Sequence, residues 1–144
     1  MHTAYLALGA NLGPTRTTFI QAIQYLDQLP GLRVMTYSRF YTTRPLGGLD
    51  QPNYLNAVLQ VETQLEPLAL LKAMWKTEAH FGRRRSSERW AARHLDCDIL
   101  LFDDRVMQSA QLTLPHYAMT ERECVLVPLL EIAPDLVLPC GRAV

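Results

Sequence analysis

Two aspartates interrupt a stretch that otherwise reads as a buried strand. RHLDCDILLF (93–102) carries Asp96 and Asp98 on either side of Cys97. Side chains two apart in a strand share a face, with backbones roughly 7 Å apart. The two acids therefore project together, while Leu95, Cys97 and Ile99 turn the other way, into the core. Paired carboxylates repel, and at least one resists ionising without a cation beside it. Oxygen-only ligands suit Mg²⁺ or Mn²⁺, and two such ions about 4 Å apart clamp a phosphate chain in many transfer enzymes. The competing reading is an acidic pair on an exposed strand face, salt-bridged to arginine.

Arginines lie immediately upstream. Arg83, Arg84, Arg85, Arg89 and Arg93 fall within RRRSSERWAAR (83–93), which lacks an apolar period and reads as a mobile basic loop. Guanidinium forks match phosphate oxygens, and such a loop can close over a reaction centre to exclude water. A solvated basic face is the simpler alternative. His116, in LPHYAMTER, follows Pro115 and is placed to donate to a phosphate. His2, His80 and His94 have no companions at ligand spacing, so no zinc site is expected. GANLG (9–13) lacks the GK[ST] ending of a phosphate-binding P-loop and reads as a tight exit from a strand.

The elements that position these residues follow from periodicity. TAYLALG (3–9) is a short β-prone run. TRTTFIQAIQYLDQL (15–29) sets Phe19, Ile20, Ile23, Leu26 and Leu29 near helical spacing, and Pro30-Gly31 stops that helix. LRVMTYSRFYTT (32–43) and YLNAVLQVETQ (54–64) read as strands, joined by the Pro/Gly-dense loop RPLGGLDQPN (44–53). Pro67 suits the first turn of a helix through LALLKAMWKTEAHF, which Gly82 ends. LDCDILLF (95–102) is a strand that Asp103-Asp104 turns. MTERECVLVPLLEIAP (119–134) shows a Thr120/Glu123 capping-box pattern, and Pro128 predicts two short helices there. The βαββαβ order predicts an α+β, ferredoxin-like sheet with helices on one face, plus a less regular C-terminal extension.

Composition narrows the function classes. The 144 residues suit a single domain spanning 1–144 with a proper core. Lys+Arg and Asp+Glu balance at 14 each, which argues against bulk nucleic-acid or anionic-membrane binding. No apolar run approaches a membrane span, and MHTAYLALGANLG lacks the features of a secretory signal. Cys97, Cys124 and Cys140 form no CxxC pair and read as free thiols of a cytoplasmic protein.

With these residues in view, the chain resembles the 6-hydroxymethyl-7,8-dihydropterin pyrophosphokinase family. ERWAARHLDCDIL resembles its signature, in which a basic residue and a small pair precede Arg-x-x-Asp-x-Asp. YLALGANLG, FYTTRPLGGLDQPNYLNAV, LTLPHYAM and VPLLEIAPDLVLP agree in order along nearly the whole chain. The resemblance implies a ferredoxin-like fold and transfer of pyrophosphate from ATP to the hydroxymethyl group of a reduced pterin, leaving AMP, a step towards folate. It implies that Asp96 and Asp98 hold two Mg²⁺ ions, and that Arg83 and Arg93 neutralise charge as AMP leaves. Arg85 and Trp90 would ride on the closing loop. Leu71, Glu78, Ile99, Leu112, Thr113, His116 and Tyr117 match ATP-contacting positions. Thr43, Arg44, Leu46, Gly47, Tyr54 and Asn56 match the pterin pocket, which Asp96 also borders. Nothing in the pattern demands a partner subunit, so a monomer is expected.

The chain departs from the family in a few places. Cys97 replaces an aliphatic residue on the core-facing side. Cys124 aligns with an aromatic that closes the far side of the pterin sandwich. Gln111 replaces an arginine that contacts ATP, and Trp75 replaces a polar residue near the nucleotide. The chain also ends sooner than many members. Two other readings compete: a catalytically degraded paralogue that binds pterin or nucleotide as a regulator, and a ferredoxin-like RNA-binding module. The second lacks the aromatic RNP1 pattern and the usual basic balance.

Overall fold

A computed structural model describes residues 1–43, 53–82, 94–116 and 123–139. The elements run β1 (His2–Ala10), α1 (Thr15–Asp27), β2 (Leu32–Tyr37), β3 (Tyr41–Thr43), β4 (Tyr54–Thr63), α2 (Pro67–His80), β5 (Asp96–Phe102), β6 (Met107–Gln108), β7 (Thr113–Leu114) and α3 (Glu123–Ile132). A five-stranded antiparallel sheet has the order β2-β4-β1-β5, with β3 also pairing with β4. This is the ferredoxin-like arrangement that the element order predicts.

Alternation sorts the sheet into two faces. Ala4, Leu6, Leu8 and Ala10 of β1 and Leu55, Ala57, Leu59 and Val61 of β4 pack with the buried side chains of α1 and α2. Phe19, Ala22 and Leu26 of α1 and Leu70, Leu71 and Met74 of α2 belong to the same cluster. Truncating the wholly buried Met74 to alanine costs about 2–5 kcal/mol on the usual scale for such core positions. The other face carries Tyr5, Ala7, Val58, Leu100 and Leu101, covered by Val125 and Leu129 of α3 together with Leu138.

Four details differ from the sequence expectations. The 32–43 strand is two strands, because Ser38 satisfies the backbone locally. Its Oγ accepts the Val58 N–H at 3.0 Å and donates to the Arg39 carbonyl at 2.7 Å. Such a serine competes with a regular ladder. Ile20 is 49% exposed, so the apolar stripe of α1 is narrower than its spacing suggests. Residues 123–132 form one helix through Pro128, where two were expected. Pro128 sits inside α3, past the first turn, so it removes one intrahelical N–H bond, and burial of Val125 and Leu129 outweighs that loss. Helices also occupy both faces of the sheet, since α3 packs opposite α1 and α2. The Thr120/Glu123 capping pattern falls outside the residues whose side chains are described.

The seating of α3 is fixed by Glu131. Its carboxylate accepts the Tyr41 hydroxyl and the Arg39 N–H, the latter at 3.2 Å, with the Arg39 Nε 3.5 Å away. The last turn of α3 is thereby tied to the β2–β3 connection.

Candidate active site

The sheet register assembles the polar face from three strands. Gly9 of β1 pairs with Asn56 of β4 on one side and with Asp96 of β5 on the other. Asn56 pairs in turn with Tyr41 of β3. One row thus runs Tyr41, Asn56, Gly9, Asp96, with Asn56 and Asp96 roughly 10 Å apart across two strand spacings. The next row along β1 pairs Ala7 with Val58 and with Asp98. Gly9 lies inside β1, so it is not the turn residue expected from GANLG; Gly13, at φ 72°, is. A Cβ on Gly9 would stand on this face, 3.7 Å from Asn56 Oδ1. Glycine here keeps the floor open between the amide and the acids.

Asp96 and Asp98 project onto this face, with Asp96 half-buried and Asp98 exposed. Leu95, Cys97 and Ile99 turn into the helix-side core, as alternation predicts. A bulge in the β1–β5 pairing leaves Leu100 between the partners of Tyr5 and Leu6. Asp96, Asp98 and Leu100 therefore share a face, and Phe102 swings back to the other. Among the described residues no cluster of three or more His, Cys, Asp or Glu side chains could hold a metal. The strand offers two hard oxygen donors, one exposed and one half-buried. That set fits Mg²⁺, which keeps water and binds through one or two carboxylates plus phosphate oxygens. It does not fit a closed, all-protein metal cage.

Asn56, 9% exposed, is held from the neighbouring strand. Its Nδ2 donates to Thr43 Oγ1 at 2.7 Å and, more weakly, to the Tyr41 carbonyl at 3.4 Å. The amide's donors are thus turned to the protein, with Oδ1 over Gly9. Tyr54, half-buried, sits two residues before Asn56 on the same face of β4. Cys124, in the first turn of α3, is half-buried against the cluster on this side of the sheet.

A second group of expected site residues lines the outer edge of β5. The Glu78 carboxylate of α2 accepts the Cys97 N–H at 2.8 Å. His116 donates its backbone N–H to the Leu100 carbonyl at 2.9 Å, which hangs the segment after β7 on the same edge. Leu71, Ile99 and Leu112 share one buried cluster beneath it, and Thr113 is exposed in β7. Arg44, Leu46, Gly47, Arg83, Arg85, Trp90, Arg93 and Tyr117 lie outside the described residues, so the basic loop and part of the pterin pocket are not placed.

Sequence reading missed Gly9, Tyr41, Glu131 and Asn11. Asn11 is a polar residue only 2% exposed, two positions beyond Gly9. The alternation of AYLALGA carried a signal for Gly9, since residues 5, 7 and 9 must share a face. No local signal exists for the Tyr41–Glu131 contact, which joins residues 90 apart.

The fold and this face define an α+β protein with a carboxylate pair beside a polar sheet floor, a layout suited to phosphate transfer. The model of the 7,8-dihydro-6-hydroxymethylpterin-pyrophosphokinase family matches residues 5–134. The chain is 48% identical over 144 residues to the 2-amino-4-hydroxy-6-hydroxymethyldihydropteridine pyrophosphokinase of Haemophilus influenzae, covering all of this chain and 89% of that one. It is 44% identical to the enzyme of the same name from Pseudomonas aeruginosa, over 96% of this chain and 85% of that protein. The chain belongs to this pyrophosphokinase family. The crystal structure of Plasmodium falciparum HPPK-DHPS superposes with a TM-score of 0.75 at 14% identity, over 99% of this chain and 40% of that longer one, a likeness of fold.

Proposed function

We propose that the chain transfers pyrophosphate from ATP to the hydroxymethyl group of 6-hydroxymethyl-7,8-dihydropterin, releasing AMP. The observation that carries this reading is the register placing Asn56, Gly9 and Asp96 in one row of adjacent strands, in a chain of this family. The pterin lies on the polar floor, with its hydroxymethyl end towards the acids. Asn56 Oδ1 accepts a ring N–H, because Thr43 and Tyr41 already take the amide hydrogens. Tyr54 offers a flat face beside it, and Cys124 closes the opposite side. Arg44, Leu46 and Gly47 complete that pocket.

The nucleotide lies along the outer edge of β5, against Leu71, Glu78, Ile99, Leu112, Thr113 and His116, to which the family resemblance adds Tyr117. Asp96 and Asp98 would hold two Mg²⁺ ions, which supply charge neutralisation at the phosphates and acidify the attacking hydroxyl. The hydroxymethyl oxygen bonds to the β-phosphorus as the bridge to the α-phosphate breaks and AMP leaves. Arg83 and Arg93 balance the charge that develops on AMP, and Arg85 and Trp90 close with their loop to exclude water. Such transfer needs mainly positioning and charge stabilisation, so no dedicated general base is required.

We read the protein as a monomeric single domain of the cytoplasm. Among the described residues no helix is long and apolar enough to cross a membrane, and the chain's formal charge is +0. The decisive assay is AMP release from ATP and 6-hydroxymethyl-7,8-dihydropterin, with and without Mg²⁺. Turnover that needs all three is expected. Folded protein that binds either ligand without turnover would point to a degraded paralogue. Asp98→Asn should lose at least about 100-fold in turnover, the scale of one lost charge-stabilising contact, while its circular dichroism stays unchanged. Near-normal activity in that variant would sink the metal assignment.

A further inference from the structure

The two flanks of α2 look onto different surroundings. On one flank His80 stacks against Tyr25 of α1, ring centroids 4.4 Å apart. On the opposite flank Glu78 reaches over the edge of β5 to the Cys97 N–H. Residues 71, 75 and 78 follow helical spacing along this second flank. Leu71 and Glu78 are buried, but Trp75 between them is 40% exposed. An indole of this size therefore stands on the solvent side of the stripe. The segment hung on Leu100 through His116 passes along the same strand edge.

We infer that Trp75 is a stacking platform for the purine base of the nucleotide on this edge. The inference rests on the reading of the β5 edge as the ATP side. Three observations favour a base as the occupant. The indole offers a flat π-face, and a purine is the flat group of the substrate. Leu71 and Leu112, both buried, belong to the core cluster beneath this edge, so the ground behind it is apolar. The carboxylates that suit the phosphate end lie on the same strand, at Asp96 and Asp98, so base and phosphates would span the strand edge between α2 and the acids. Stacking does not read exocyclic groups, so Trp75 adds affinity without choosing adenine over guanine.

The test compares wild type, Trp75→Ala and Trp75→Phe by calorimetric titration with Mg²⁺ and either α,β-methylene-ATP or inorganic tripolyphosphate, which has no base. Trp75→Ala should weaken the nucleotide analogue roughly 5- to 160-fold, the range for one base–aromatic stack. Its affinity for tripolyphosphate should match wild type, and Trp75→Phe should recover part of the loss. The fluorescence difference between wild type and Trp75→Phe, which isolates the Trp75 indole, should be quenched by the analogue and not by tripolyphosphate. Unchanged analogue affinity in Trp75→Ala would overturn the stack and leave the ATP reading standing. Equal weakening of both ligands would also overturn it, by showing general damage to the edge. Wild-type protein that binds neither ligand would overturn both readings.

Discussion

The Glu78 carboxylate grips the Cys97 N–H at 2.8 Å, so α2 holds β5 at the residue between the two aspartates. An edge strand has outward N–H groups with no ladder partner. Here a buried acid supplies the acceptor, and the spacing of Asp96 and Asp98 is set from behind. Glu78→Ala leaves a buried donor unpaired and should cost about 1–3 kcal/mol of stability. Urea unfolding would show it as a lower midpoint. Glu78→Gln keeps an acceptor oxygen and should recover much of the loss.

Asn56 is aimed by Thr43. Thr43→Val removes the 2.7 Å acceptor with little change of shape, freeing the amide to rotate. The KM for the pterin should rise several-fold, the effect of about 1 kcal/mol of lost orientation, while kcat stays within about twofold. Initial-rate measurements separate the two constants. A fall in kcat with unchanged KM would contradict the pocket assignment.

These residues also show what the sequence could and could not reveal. Alternation in DCDI placed the acids on one face and Cys97 and Ile99 in the core, because a two-residue period is a property of the strand alone. The element order similarly led to the sheet topology. What failed depended on contacts made at a distance. Ser38 breaks a β-prone run because Val58, twenty residues on, meets its hydroxyl. Pro128 continues a helix because the sheet face beneath α3 rewards burial of Val125 and Leu129. Gly9 looked like a turn residue, and only pairing on both sides of β1 makes it the floor between Asn56 and Asp96.

Glu131 gives the fold an acid-sensitive anchor. The Tyr41 hydroxyl hydrogen bond is the main influence holding its carboxyl below the ordinary 4.5, with Arg39 adding to it and partial burial opposing. A folded-state value below the unfolded one adds stability that is fully present above pH 4.5 and lost as pH falls through the folded value. Glu131→Gln should therefore be less stable than wild type near pH 7, and the two should converge in acid below the ordinary carboxylate range. Thermal melts across pH 2–7 test this. A constant gap across that range would show that the charge of Glu131 is irrelevant.

Cys124 occupies the first turn of α3, on the side of the sheet that carries Asn56 and Asp96, at a position where the family resemblance implies an aromatic ring. The helix is held there from its far end by Glu131, so the position of residue 124 does not depend on the pterin. A thiol supplies little flat surface, and the proposed pocket has Tyr54 for stacking on the other side. Cys124→Phe should therefore restore a second stacking face and tighten pterin binding several-fold, on the order of 1 kcal/mol. The gain should appear in the pterin dissociation constant and not in that for ATP, because the proposed nucleotide edge lies across β5. Equilibrium binding of the pterin, followed by its fluorescence, measures the first, and calorimetry with α,β-methylene-ATP measures the second. Weaker pterin binding in this variant, with α3 still folded, would mean that the space beside Cys124 is filled by another group and that the sandwich is closed differently in this chain.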